Sequence, residues 1–102
     1  GFRYFKGHGV IQDYKEAVKW TRKAAEQGDN LAQGLLGMMY HFGKGVIQDY
    51  VQAHAWYNVA SANGNKLGAE DRDEVAKLMT PEQIAKAQEL AKEYFEKYQP
   101  KK

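Results

Sequence analysis

His8, His41 and His54 are the side chains of this 102-residue chain best suited to metal ligation or proton transfer near neutral pH. None of them forms an i, i+4 pair, and none has a carboxylate at ligand spacing on the same helical stretch. The run Glu70-Asp71-Arg72-Asp73-Glu74 brings carboxylates together as acid–base catalysis requires. The first turn of a helix, where acids favour the dipole, accounts for that run more simply. Gly43-Lys44-Gly45 resembles part of a phosphate loop, but no strand precedes it and no Gly-Lys-Ser/Thr ending follows. Ser61 is the only serine and has no Gly-x-Ser-x-Gly turn around it. With no cysteine there is no thiolate nucleophile, no disulfide framework and no thiolate zinc site. We assign no catalytic residue, no metal and no cofactor, and a hydrolase reading is left without a nucleophile.

Composition narrows the partners. The net charge is only +2, too small a field to favour nucleic acid or membrane surfaces. Its excess sits on Lys15, Lys19, Arg22 and Lys23, which share one helical face and read as solvated helix surface rather than a phosphate patch. No apolar run approaches the roughly 20 residues that a membrane span needs, so membrane insertion is not expected. The compartment stays open: absence of cysteine suits the cytoplasm and an oxidising periplasmic or secreted setting equally, and the chain carries no targeting signal. Abundant Ala, Lys, Glu and Gln with only two prolines, Pro81 and Pro100, favour helix.

The elements that would position any site come from a repeat. Displaced by 36 residues, the chain matches itself without a gap. Gly1, Tyr4, Gly7 and Gly9 fall on Gly37, Tyr40, Gly43 and Gly45, and Val10-Ile11-Gln12-Asp13-Tyr14 recurs as Val46-Ile47-Gln48-Asp49-Tyr50. Ala17, Trp20, Ala24 and Gly28 then meet Ala53, Trp56, Ala60 and Gly64. The histidines do not recur: Lys44 answers His8, and Phe5 answers His41. The tryptophans and most tyrosines occupy repeat positions, so core packing explains them better than a base-stacking platform.

One unit can be read from residues 29–64. Asp29 or Asn30 caps a helix whose apolar face is Ala32, Leu36, Met39 and Tyr40. Gly37 inside it costs about 1 kcal/mol against Ala, which close approach of a neighbouring helix would explain. Gly43-Lys44-Gly45 ends that helix. Asp49 caps the next, with Gln52 at the capping-box position, as Asp13 and Glu16 do in the first unit. Ala53, Trp56, Tyr57 and Ala60 form its apolar stripe, and Asn63-Gly64 stops it. A hairpin this small cannot bury its own face, so units must stack.

The last third departs from the repeat. Residues 66–79 predict a helix with apolar Val75, Leu78 and Met79. Thr80-Pro81-Glu82-Gln83 is a strong helix start. The helix that follows puts Ile84, Ala87, Ala91, Tyr94, Phe95 and Tyr98 on one face and charged residues on the other, as the terminal cap of a solenoid requires.

At Ala32-Gln33, Leu36-Gly37-Met38-Met39-Tyr40, Gly43-Lys44-Gly45-Val46, Gln48-Asp49-Tyr50, Ala53, Trp56-Tyr57, Ala60 and Gly64 the chain resembles the Sel-1-like repeats, relatives of the tetratricopeptide repeat. The stretch from Arg72 to Ala85 looks like the closing segment of many bacterial members. Three departures stand out. The first unit begins at Gly1 without most of its first helix, Thr21 replaces an aromatic, and the Leu-Gly-x-x-Tyr signature does not return after Gly64. The resemblance implies an all-α fold, a right-handed α-solenoid of helix-turn-helix hairpins with a C-terminal capping helix pair. The expected division is a partial repeat at 1–28, a complete repeat at 29–64 and capping helices at 65–102. It also implies a non-enzymatic adaptor or scaffold that binds a partner protein on its concave face. The alternative is a binder of a small cell-envelope component such as a glycan or peptide fragment. The first helix of each hairpin lines the concave side, so partner contact is expected at Asn30, Gln33, Gly34, Met38 and His41, and at Phe2 and Phe5 one repeat earlier. An uncovered N-terminal end would also invite self-association.

Overall fold

A computed structural model describes residues 10–99, with side chains from Tyr14 onward. Five helices follow one another: α1 (Val10–Glu26), α2 (Asn30–Phe42), α3 (Tyr50–Ala62), α4 (Gly68–Ala76) and α5 (Pro81–Lys97). Among the described residues there is no strand.

The helix ends follow the capping chemistry in the sequence. Asp29 caps α2 by accepting from the backbone N–H groups of Leu31 and Ala32. Gly43 closes α2 with φ 67°, a left-handed conformation that glycine adopts without penalty, and donates to the Met39 carbonyl. Thr80 and Gln83 form a reciprocal capping box, with Pro81 leading α5. Asp49 caps α3 by accepting from Gln52 N–H. The expected box does not close there. The Asp49 N–H donates to the Tyr40 carbonyl (2.9 Å), and the Gln52 side chain instead accepts from Tyr94 Oη on α5 (2.9 Å).

Asp13 is a second difference: it lies inside α1 rather than capping it. The same five residues are thus helical at 10–14, whereas 46–49 lead into α3 as a loop. That loop is tied down by Asp49 at Tyr40 and by Val46 against the main core. The segment that would play this part ahead of Val10 lies outside the described residues.

Helix α3 is the spine. It packs against α2, α4 and α5, while α1 packs on α2. Ala53, His54, Ala55, Trp56, Tyr57, Val59 and Ala60 are accordingly all buried. One core gathers Leu36, Met39, Trp56 and Val59 with Val18 and Ala25 of α1 and Ala91 of α5. A smaller one sits on the other side of α3, where Ala53 and Tyr57 meet Val75 of α4. The close approach inferred at Gly37 is real: a Cβ there would stand 2.7 Å from the Tyr57 ring.

The two repeat tryptophans part company. Trp56 is 1% exposed beneath Tyr94 and Tyr98, stacked at 4.5 and 5.8 Å between centroids. Trp20 is 62% exposed, with the Lys23 ammonium over its ring. Core packing therefore explains Trp56 and not Trp20.

Helix α4 keeps the register of α2. At the offset of 36, exposed Leu31 corresponds to exposed Leu67, buried Ala32 to buried Gly68, and buried Met39 to buried Val75. The match is partial: buried Gly34, Leu36 and Gly37 correspond to exposed Glu70, half-buried Arg72 and exposed Asp73.

Candidate functional site

Because α2 and α4 both rest on α3, a groove runs between them with the Tyr57 side chain beneath. Its volume is about 470 Å³, and it is lined by Met38, His41, Phe42, Tyr57, Asp71, Glu74, Lys77 and Leu78. The register explains this set. Met38, His41 and Phe42 correspond at the offset of 36 to Glu74, Lys77 and Leu78. The groove therefore forms between like faces of successive first helices.

The α2 wall is aromatic. The His41 ring stacks on Phe42 at 4.2 Å and meets the edges of Tyr50 and Tyr57, each at 6.0 Å. Its Nδ1 shares a 3.1 Å hydrogen bond with Tyr57 Oη. Burial pushes the His41 pKa below its ordinary 6.5, against the opposing pull of Asp71 and Glu74, so the ring is neutral at pH 7. Burial, with a contribution from Asp71, drives the Tyr57 phenol well above its usual range. A protonated tyrosine beside a neutral histidine is a fixed hydrogen-bonding pair, not an activated nucleophile.

The α4 wall is acidic. Glu74 pairs with Lys77 at 3.3 Å in an exposed contact. Arg72 turns away, to Asp73 at 3.2 Å and to the Asn58 side chain at 3.0 Å. Asp71 has no cation within ion-pair distance among the described residues. Burial raises its pKa first, neighbouring Glu70 and Glu74 add to the rise, and His41 opposes it. Phe42 and Leu78, 56% and 55% exposed, supply apolar surface at the groove edge. Among the described residues no group of His, Asp and Glu is arranged to hold a metal ion, and no helix is long and apolar enough to cross a membrane.

The contact residues expected from sequence divide along α2. Met38 and His41, in its C-terminal half, line the groove. The N-terminal half is held under the turn after α3. Gln33 is 0% exposed: its Nε2 donates to the carbonyls of Ala25 (3.0 Å) and Tyr98 (3.2 Å), and its Oε1 accepts from Asn63 Nδ2 (3.0 Å). Asn30 donates to the Asn63 carbonyl at 2.8 Å, and its own carbonyl accepts from Asn65 Nδ2 at 3.1 Å. Gly34 is buried, with Asn65 Nδ2 2.7 Å from where a Cβ would stand. Gln33 and Gly34 are therefore corrected from surface contacts to buried structural positions, since their neighbours leave no room for a partner. Asn30 is half-buried in the same network. Phe2 and Phe5 lie outside the described residues. Sequence reasoning missed Phe42, Tyr57, Asp71, Glu74 and Leu78. Carrying the 36-residue offset past Gly64 takes Met38 to Glu74 and His41 to Lys77, but does not reach Asp71 or Leu78, which answer Leu35 and Phe42.

Comparison with known proteins agrees with this architecture. The Sel1 repeat model matches residues 1–29 and 30–65. No curated protein matches the chain. Among solved structures, the chain is similar to c5321, a protective antigen present in uropathogenic Escherichia coli strains and displaying an SLR fold. That match has 46% identity and a TM-score of 0.84 over 92% of this chain. The chain spans only 20% of the length of that structure. The two matched repeats, the helical hairpins and this solenoid neighbour together place the protein: the chain belongs to the Sel1 repeat family.

Proposed function

We propose that the chain is a non-catalytic protein-interaction module that holds a segment of a partner protein in the groove between α2 and α4, on the concave side of its solenoid. The observation that carries this reading is the pairing of half-exposed Phe42 and Leu78 at one register on successive first helices. Between them lie fixed polar groups, His41 and Tyr57. Apolar anchors flanked by oriented hydrogen-bonding groups are what a protein contact needs, because a few such anchors carry most of the affinity. Met38 and His41 remain contact residues in this reading, joined by Phe42, Asp71 and Leu78. Residues 29–64 act as the complete unit. Residues 65–102 act as the closing pair, α4 continuing the groove and α5 covering Trp56.

The test is affinity capture from a lysate of the encoding organism, envelope fractions included. Wild type is compared with a Phe42→Ser, Leu78→Ser variant, whose two positions are exposed enough to leave the core intact. A partner held by wild type and lost by the variant is the expected result. A partner retained by both would move the site off this groove.

A further inference from the structure

Resting on that reading, we infer that the α2/α4 groove selects a partner segment carrying a lysine or arginine next to an apolar side chain. Three observations converge on that chemistry. Two carboxylates line the groove against one lysine, and that lysine is already engaged with Glu74. Asp71, half-buried, has no cation within ion-pair distance among the described residues, since the nearby Arg72 is committed to Asp73 and Asn58. His41, the remaining basic group of the lining, adds no positive charge at pH 7 because burial holds it neutral. Glu70, Asp71 and Glu74 thus leave a local negative field along the α4 wall.

The same wall repels an acidic peptide or an anionic glycan. An arriving ammonium or guanidinium meets a carboxylate already partly desolvated by folding, so only part of its desolvation cost offsets the charge-assisted hydrogen bond. Phe42 and Leu78 flank this point with apolar surface. They can cover the aliphatic stem of the cation and seat the residue beside it.

Selection of short random peptides displayed on phage, with wild-type chain as bait, tests the charge requirement separately from the groove. Selected peptides are expected to be rich in Lys or Arg adjacent to an apolar residue. They should lose binding to the Phe42→Ser, Leu78→Ser variant and weaken about tenfold against Asp71→Asn. Glu74→Gln should weaken them less, because Lys77 already occupies Glu74. Circular dichroism of each variant reports that it is folded. Peptides that need Phe42 and Leu78 but show no basic preference, or that bind Asp71→Asn as tightly as wild type, overturn the charge inference and leave the groove reading standing. A selection giving no peptide sensitive to Phe42→Ser, Leu78→Ser overturns both.

Discussion

Gln33 shows how a polar residue can act as core. Its amide joins the end of α1 through Ala25, the end of α3 through Asn63 and the end of α5 through Tyr98. Leucine of similar size would remove the partner of the Tyr98 carbonyl and of the Asn63 side-chain amide, and leave the Ala25 carbonyl with the Gly28 N–H alone. Gln33→Leu should therefore destabilise the fold by about 2–3 kcal/mol in urea unfolding; an unchanged midpoint would show that the network is dispensable. Gly37→Ala should also destabilise, by about 1–3 kcal/mol, because displacing the buried Tyr57 ring outweighs the gain in helix propensity. His54 carries a pH prediction. It is buried, its Nδ1 has no partner among the described residues, and burial, then Arg72, lowers its pKa below 6.5 while Asp73 opposes. The unfolded chain therefore binds the proton more tightly, so this contribution to stability is present above pH 6.5 and is lost as pH falls through the lower folded value. His41 acts in the same sense, whereas Asp71, raised in the fold, acts oppositely and in the lower carboxylate window. Melting temperature should fall between about pH 7 and about pH 5, with a shallower slope in His54→Gln. A Tm that rises over that interval would contradict the assignment.

At the scale of elements, α5 covers the spine. Tyr94 stacks on Trp56 and donates to Gln52, and buried Ala87 and Ala91 let the helix lie close to α3. Tyr94→Ala should cost about 2–3 kcal/mol. In a Trp20→Phe background, the fluorescence of Trp56 should shift to the red as its cover is removed. Emission that stays blue would mean that α5 does not shield it. Much of this was legible in the sequence. The caps at Asp29, Asp49 and Thr80, the Gly43 stop and the amphipathic α5 each follow from local chemistry. What was not legible depends on tertiary partners. Gln52 bonds to α5 rather than back to Asp49, and Asp13 sits within α1 although its pentapeptide is identical to the one ending in Asp49–Tyr50.

Across the whole molecule the 36-residue offset is the organising quantity, because it sets which residues of successive helices face one groove. The contact face expected along α2 from the sequence is open only in its C-terminal half, since Gln33 and Gly34 are buried. Periodicity marks the face that leaves the core of one hairpin. It does not tell which part of that face is sealed by the turn at Asn63–Asn65 and which part opens beside α4. Asp71 and Glu74 read as helix-start acids until α4 is seen to stand in the register of α2. The claim that follows is that a partner lies along this groove, and site-directed photo-crosslinking tests it most directly. A photoreactive phenylalanine analogue is introduced in place of Leu78 in one variant and of Glu89, on the exposed face of α5, in another. Crosslinking to a protein partner from position 78 and not from position 89 is the predicted result. Crosslinks from position 89 with none from 78 would contradict it and place the interaction on the outer face of α5.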